Sequence, residues 1–142
     1  AALDAGIDER FVVVNGDIGD AKTAREALAQ PGAVAGMIGR GAQGQHWRVG
    51  KVAATLAGHE APAAPTDGGL SDVVEEHYEG VLEEYGLHVG VRAARKHLDW
   101  YLEAAGIAPA RETRWALLNS AEPNDVRHMI RRLFRERLPE AA

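Results

Sequence analysis

Ala33-Val34-Ala35-Gly36-Met37-Ile38-Gly39-Arg40-Gly41 is a short apolar run that stops abruptly in two glycines around an arginine. It does not alternate polar with apolar residues, so it reads as a strand covered on both faces, the habit of parallel sheets. Upstream, Phe11-Val12-Val13-Val14 is a second run of this kind, followed at once by the turn residues Asn15-Gly16-Asp17. Between the two lies a helix pattern, Ala21 to Gln30, with Asp20 as N-cap, Ala21, Ala24 and Leu28 on one side, and Pro31-Gly32 as the stop. Downstream, roughly Gln45 to Ala57 is a second helix whose stripe is Val49, Val52, Ala53 and Leu56, closed by Gly58. The order is strand, loop, helix, strand, loop, helix. Strands joined by a helix are normally parallel, with a right-handed crossover.

Two parallel strands need neighbours at their edges and cover on both faces. The pattern therefore calls for further strands. Ala1-Ala2-Leu3-Asp4-Ala5-Gly6-Ile7 reads as the tail of a helix ending at Gly6, and a start in mid-helix suggests a piece of a longer chain. An unpaired sheet edge would seek a partner, so self-association of the piece is expected.

The rest of the sequence is different. Residues 59–69 contain two prolines and two glycines without periodicity and read as a linker. Beyond them everything reads as helix. Ser71 caps a first helix, with Asp72, Glu75 and Glu76 in its early turns and an apolar face that includes Val74, Tyr78, Val81 and Tyr85. A second helix runs from about Val89 to Ala105. A third spans Arg111 to Asn119, with Trp115 and Leu118 inward. A fourth starts at Pro123, uses Val126, Ile130, Leu133 and Phe134, and stops at Pro139. The expected fold is α/β plus α and predominantly helical. Two βα units ending a (β/α)8 TIM-type barrel (1–58) lead through a linker (59–69) to a four-helix bundle (70–142).

The 142 residues are 46 % apolar and 26 % charged with a formal net charge of −5, a globular balance that excludes nucleic-acid binding by bulk charge. There is no cysteine, so this chain holds no disulfide, no Cys-based zinc site and no Cys nucleophile. That fits a reducing, cytoplasmic setting. No apolar run approaches the roughly 20 residues that span a bilayer. Without an HxxxH pair or clustered carboxylates, no metal site is expected.

In a barrel the chemistry sits at the C-terminal ends of the strands, and cofactor phosphates often rest on the loops after the last two. Those loops here are Asn15-Gly16-Asp17 and Gly39-Arg40-Gly41. Glycines admit backbone N–H groups close to a phosphate, and Arg40 adds charge. Either loop alone would read equally well as a turn. Two in register, one with an arginine, point to phosphate.

These residues resemble the tRNA-dihydrouridine synthases. The resemblance rests on Val14-Asn15-Gly16-Asp17-Ile18, on Gly36 through Gly44 with Trp47, and on His77-Tyr78 and Arg95-Lys96-His97-Leu98 with Trp100-Tyr101. It points to the bacterial B-type, nitrogen-regulation-linked branch. His46 departs from it, standing where that family usually has a proline. The resemblance implies an FMN-dependent oxidoreductase that reduces uridines of tRNA with NADPH. It implies FMN-phosphate binding by Asn15, Gly16, Asp17, Gly39 and Arg40, and a helical tRNA-binding domain. It also implies that the general acid, a cysteine of an earlier barrel loop, lies upstream. No catalytic residue falls in this chain, which alone is expected to be inactive.

The charge pattern can be set against that implication. Arg127, Arg131 and Arg135 recur every fourth residue and form a stripe, and Arg92, Arg95 and Lys96 lie on another helix. Such stripes suit phosphate contacts with RNA, so Arg95, Lys96, Arg127 and Arg131 are RNA-contact candidates. The alternative is that the acidic first helix pairs with the basic last one. His77 and His97 read as packing residues. Two other functions stay open: a stand-alone RNA-binding module without catalysis, and the end of a different FMN barrel with a metabolite substrate.

Overall fold

The computed structural model describes residues 12–135. Phe11, the N-terminal helix tail and Pro139 lie outside them. The chain forms two compact units, Ala1–Ala64 and Pro65–Ala142.

In the first unit, β1 (Val13–Asn15) pairs in parallel with β2 (Ala35–Met37), with Val13 opposite Ala35, Val14 opposite Gly36 and Asn15 opposite Met37. The helix between them, α1 (Ala21–Leu28), starts in a capping box. Thr23 N–H donates to Asp20 Oδ1 at 2.8 Å, and Asp20 N–H donates to Thr23 Oγ1 at 3.2 Å. A helix after β2, α2 (Arg48–Leu56), begins three residues later than the expected start at Gln45. A 3-10 turn at Arg40–Ala42 and a left-handed Gly44 take up the intervening chain. The core is small: Ile18, Ala24 and Val52, flanked by Ala27 and Ile38. The cover expected on both strand faces is not supplied by the described residues. Val13 is 55 % and Met37 48 % exposed, and Val49 of α2 is exposed as well.

The second unit is all helix among the described residues. α3 (Asp67–Ala105) is one continuous stretch of turns broken at Gly86, whose φ of 69° and ψ of 165° belong to no helix. Its two arms fold back on each other. A Cβ on Gly90 would stand 2.9 Å from Leu82 Cα and Val81 O, so only glycine allows this approach. α3 begins at Asp67, inside the stretch that reads as linker, and Ser71 is a buried residue within it, not its cap. Gly106, in the left-handed conformation, closes the second arm, and Ile107 N–H donates to Leu102 O at 2.9 Å.

Two shorter helices complete the unit, α4 (Arg111–Asn119) and α5 (Pro123–Arg135). The core gathers Val74, Tyr78 and Val81 from the first arm, Ala94, Leu98, Tyr101 and Leu102 from the second, Leu117 from α4, and Val126, Ile130, Leu133 and Phe134 from α5. Two sequence expectations fail here. Trp115 is 68 % exposed, and Leu117 takes the inward position of α4. Tyr85, next to the break at Gly86, is exposed too. Arg114 of α4 pairs with α3, its guanidinium 2.6 Å from the Asp99 carboxylate.

Candidate functional site

The first unit brings its two loops together. Because β1 and β2 are parallel and in register, Asn15-Gly16-Asp17 and Gly39-Arg40-Gly41 leave from the same end of the pair. Ile18, buried in the core, anchors the first loop. Gly16 has a φ of 153° with open space where a Cβ would stand, so its backbone is accessible from that side. Asp17 follows in the left-handed region at φ 37°, a conformation aspartate tolerates better than most residues.

The second loop turns through the 3-10 segment, with Ala42 N–H donating to Gly39 O at 3.0 Å. Gly39 sits beside the Asn15 side-chain amide, whose Oδ1 would be 4.0 Å from a Cβ there. Arg40 Nη2 donates to Asp17 Oδ1 at 2.7 Å, and both side chains are largely exposed. Asn15, Gly16, Asp17, Gly39 and Arg40 are thus close together at one end of the strand pair. Gly41 explains the closeness. A Cβ on it would lie 2.3 Å from Ile18 O and 3.1 Å from Gly19 Cα, so the two loops touch backbone to backbone. The sequence places Gly41 in the second phosphate loop, but not among the five residues expected to hold the FMN phosphate. Its signal was present as the second glycine flanking Arg40.

The arrangement offers backbone amides, a side-chain amide and one guanidinium. It can hold an anion such as a phosphate.

In the second unit the cationic candidates divide. Arg127 and Arg131 of α5 both face the first arm of α3. Arg127 grips Glu79 through Nε and through Nη2 (2.9 Å to Oε2), and its Nη1 donates to Asn124 Oδ1 at 2.7 Å. Arg131 grips Glu75 through Nη2 and through Nε (2.8 Å to Oε2). The hydrogen bond from Arg127 holds the Glu79 carboxyl below its usual range, and Glu79 and Glu75 raise the two guanidinium groups in return. The pairing of the acidic first helix with the basic last one is therefore what these two arginines do in the folded chain.

Arg92, Arg95 and Lys96 on the second arm differ. None has a carboxylate partner among the described residues. Lys96 Nζ stands 5.8 Å from the centre of the Trp100 ring, and Arg95 has a buried Nε without a hydrogen-bond partner. Beneath them lies an aromatic cluster. His77 Nδ1 and Tyr101 OH share a hydrogen bond of 2.8 Å, and the His77 and His97 rings are 4.9 Å apart. Burial lowers the His97 pKa and lifts that of Tyr101 to about 12. No group of three or more metal-ligating side chains occurs among the described residues. No described helix is long and apolar enough to cross a membrane.

The dihydrouridine synthase family model matches residues 8–137, across both units. This chain belongs to the dihydrouridine synthase family. It is 48 % identical over 126 residues to a probable tRNA-dihydrouridine synthase of Rhodobacter capsulatus, covering 89 % of this chain and 38 % of that protein. A probable tRNA-dihydrouridine synthase of Rhizobium leguminosarum bv. phaseoli is 41 % identical over 115 residues, 81 % of this chain and 34 % of its own length. The tRNA-dihydrouridine synthase B of Xanthomonas axonopodis pv. citri is 40 % identical over 121 residues, 85 % of this chain and 36 % of its own length. The chain thus spans little more than a third of each of these relatives.

Proposed function

We propose that this chain is the C-terminal part of a flavin-dependent tRNA-dihydrouridine synthase. In this reading the first unit is the last two βα units of an FMN-binding barrel, and its exposed strand faces are covered by the rest of that barrel. The second unit is a helical bundle that docks tRNA. The observation that carries the reading is the backbone contact between Gly41 and Ile18, which sets Asn15, Gly16, Asp17, Gly39 and Arg40 around one small volume.

Those five residues would hold the phosphate of FMN. The open backbone at Gly16 and the amide of Asn15 suit its oxygens, and Arg40 supplies the opposite charge. When bound, FMN, recharged by NADPH, supplies the hydride that converts a uridine of tRNA to 5,6-dihydrouridine. This chain's own contribution is to bind and orient. Arg40 must leave Asp17 or share itself with the incoming phosphate, and its exposure makes that exchange cheap. The resemblance puts the general acid, a cysteine, in the upstream part of the parent protein, and the 142 residues contain none. On the helical side, Arg95 and Lys96 are the favoured RNA contacts because no carboxylate neutralises them, whereas Arg127 and Arg131 are committed to α3.

The test is Arg40→Ala in the complete protein. Losing one charge-assisted hydrogen bond, worth about 1.5–3 kcal/mol, should weaken FMN binding roughly 10- to 150-fold. The measurement is flavin fluorescence on titration of the apoprotein. Unchanged FMN affinity would remove Arg40 from the phosphate site and the main support for this reading.

A further inference from the structure

Beside the flavin loops, between α1 and α2, lies a groove of about 550 Å³ that the functional reading does not use. Its volume lies in the range of sites for small organic ligands, well above what a single water needs. Gly19, Asp20, Gln45, Arg48, Lys51 and Thr55 line it. Gly19, two residues past Asp17, brings the groove up to the first loop. A Cβ there would lie 3.8 Å from Arg48 Nη1, so the guanidinium sits over the glycine.

The charges inside are unbalanced. Arg48 donates to the neutral Gln45 Oε1 at 2.7 Å, which holds the guanidinium without neutralising it. Neither Arg48 nor Lys51 has a carboxylate partner among the described residues. Among the described residues Asp20 is the one acid of the lining, and its Oδ1 already accepts from Thr23 N and Thr23 Oγ1, both at 2.8 Å, as the cap of α1. Outside the lining, Arg25 Nη2 donates to Thr55 O at 3.4 Å. A concave wall with cations of one sign concentrates anions, and a planar guanidinium beside a point-charge ammonium suits phosphate oxygens.

We propose that the α1–α2 groove is a second phosphate-binding subsite, in which Arg48 and Lys51 take a phosphoester anion adjacent to the flavin phosphate loops. Two molecules could bring that anion: the backbone of the RNA substrate, or the phosphates of the dinucleotide reductant. The identity of the bearer rests on the functional reading above, whereas the groove and its charges do not.

The experiment uses the complete protein loaded with FMN, with Arg48→Gln, Lys51→Gln, the double variant, and Lys51→Arg as the conservative exchange. Unmodified tRNA transcript and NADP⁺ are the probes, each titrated at several salt concentrations. If RNA fills the groove, the double variant lowers the slope of log K against log salt for tRNA by about 1.4–1.8, from two lost phosphate contacts at 0.7–0.9 each. NADP⁺ binding and FMN content then stay unchanged, and Lys51→Arg keeps the wild-type slope. If the dinucleotide fills it, NADP⁺ binding weakens and the tRNA slope is unchanged. Either result supports the subsite. A double variant that retains wild-type melting temperature and binds both probes as wild type does would overturn it. Should wild-type protein bind no tRNA, the functional reading fails by itself, and the NADP⁺ titration then decides the groove. If the double variant does not fold, Lys51→Gln alone, with half the slope change expected, takes its place.

Discussion

Replacing Gly41 by alanine tests whether the two loops form one phosphate-binding unit. The new Cβ would lie 2.3 Å from Ile18 O, 3.1 Å from Gly19 Cα and 3.2 Å from Ile18 C. All three are backbone atoms, so no side chain can rotate away. Ile18 is anchored in the core, so the second loop must move instead. Restoring an ordinary carbon–oxygen separation takes about 1 Å, since contacts are optimal only beyond roughly 3.5 Å. Hydrogen bonds of 2.7–3.2 Å do not survive such a displacement. Gly39 and Arg40 would then lose register with Asn15 and Gly16. Loss of one charge-assisted bond, about 1.5–3 kcal/mol, predicts FMN binding weaker by roughly 10- to 150-fold. Gly36→Ala is the control, because its Cβ would meet only side chains, Ile18, Leu28 and Val14, at 3.6–3.9 Å. It should leave FMN affinity within about twofold, since no contact is compressed. The assay is flavin fluorescence titration of the complete apoprotein, with melting temperature recorded for each variant. Gly41→Ala protein that binds FMN as tightly as wild type would refute the idea that loop contact positions the site.

Two further outcomes concern the helical unit. Leu117→Ala should cost about 2–5 kcal/mol in denaturant unfolding, as a fully buried leucine does, while Trp115→Ala, four residues after the start of the same helix, should stay within about 0.5 kcal/mol because its ring faces solvent. Burial lowers the His97 pKa in the folded chain, so the unfolded chain binds the proton more readily; stability is full above the ordinary histidine pKa of about 6.5 and falls as pH drops through and below it. Melting temperature measured from pH 7.5 to 5.5 should decline in the wild type and less in His97→Gln, and an equal decline in both would remove His97 as the cause.

The legible parts of this fold are those written in local chemistry. Asp20 with Thr23 three residues on, and Pro31-Gly32 behind, mark α1 because capping and stopping need only neighbours in sequence. Pro123 marks the start of α5 for the same reason. The errors fall where a distant residue decides. Trp115 fits an inward position by type, yet Leu117 is the buried residue of α4 and packs into a core supplied by α3 and α5. Ser71 has the chemistry of a cap, but α3 extends back to Asp67 through glycines that read as linker. In the proposed phosphate site the glycines and Arg40 were visible as residue types. The Gly41–Ile18 approach that assembles them was not, because it is a contact between loops more than twenty residues apart.

The arginine stripe carries the same lesson into function. Four-residue spacing places Arg127 and Arg131 on one face of α5, and that spacing suits a row of phosphates. Glu75 and Glu79 carry the identical spacing on α3, so the two rows match carboxylate to guanidinium, each pair bidentate. A carboxylate held by the fold is always present at its guanidinium, whereas an RNA must compete for it. The cations left for a partner are those whose own helix and neighbours lack a matched acid. Arg92, Arg95 and Lys96 on the second arm meet that condition among the described residues, and so do Arg48 and Lys51 in the first unit. Spacing alone cannot separate the two kinds of stripe, because both follow the helical period. What separates them is whether an opposing helix repeats the same period with the opposite charge.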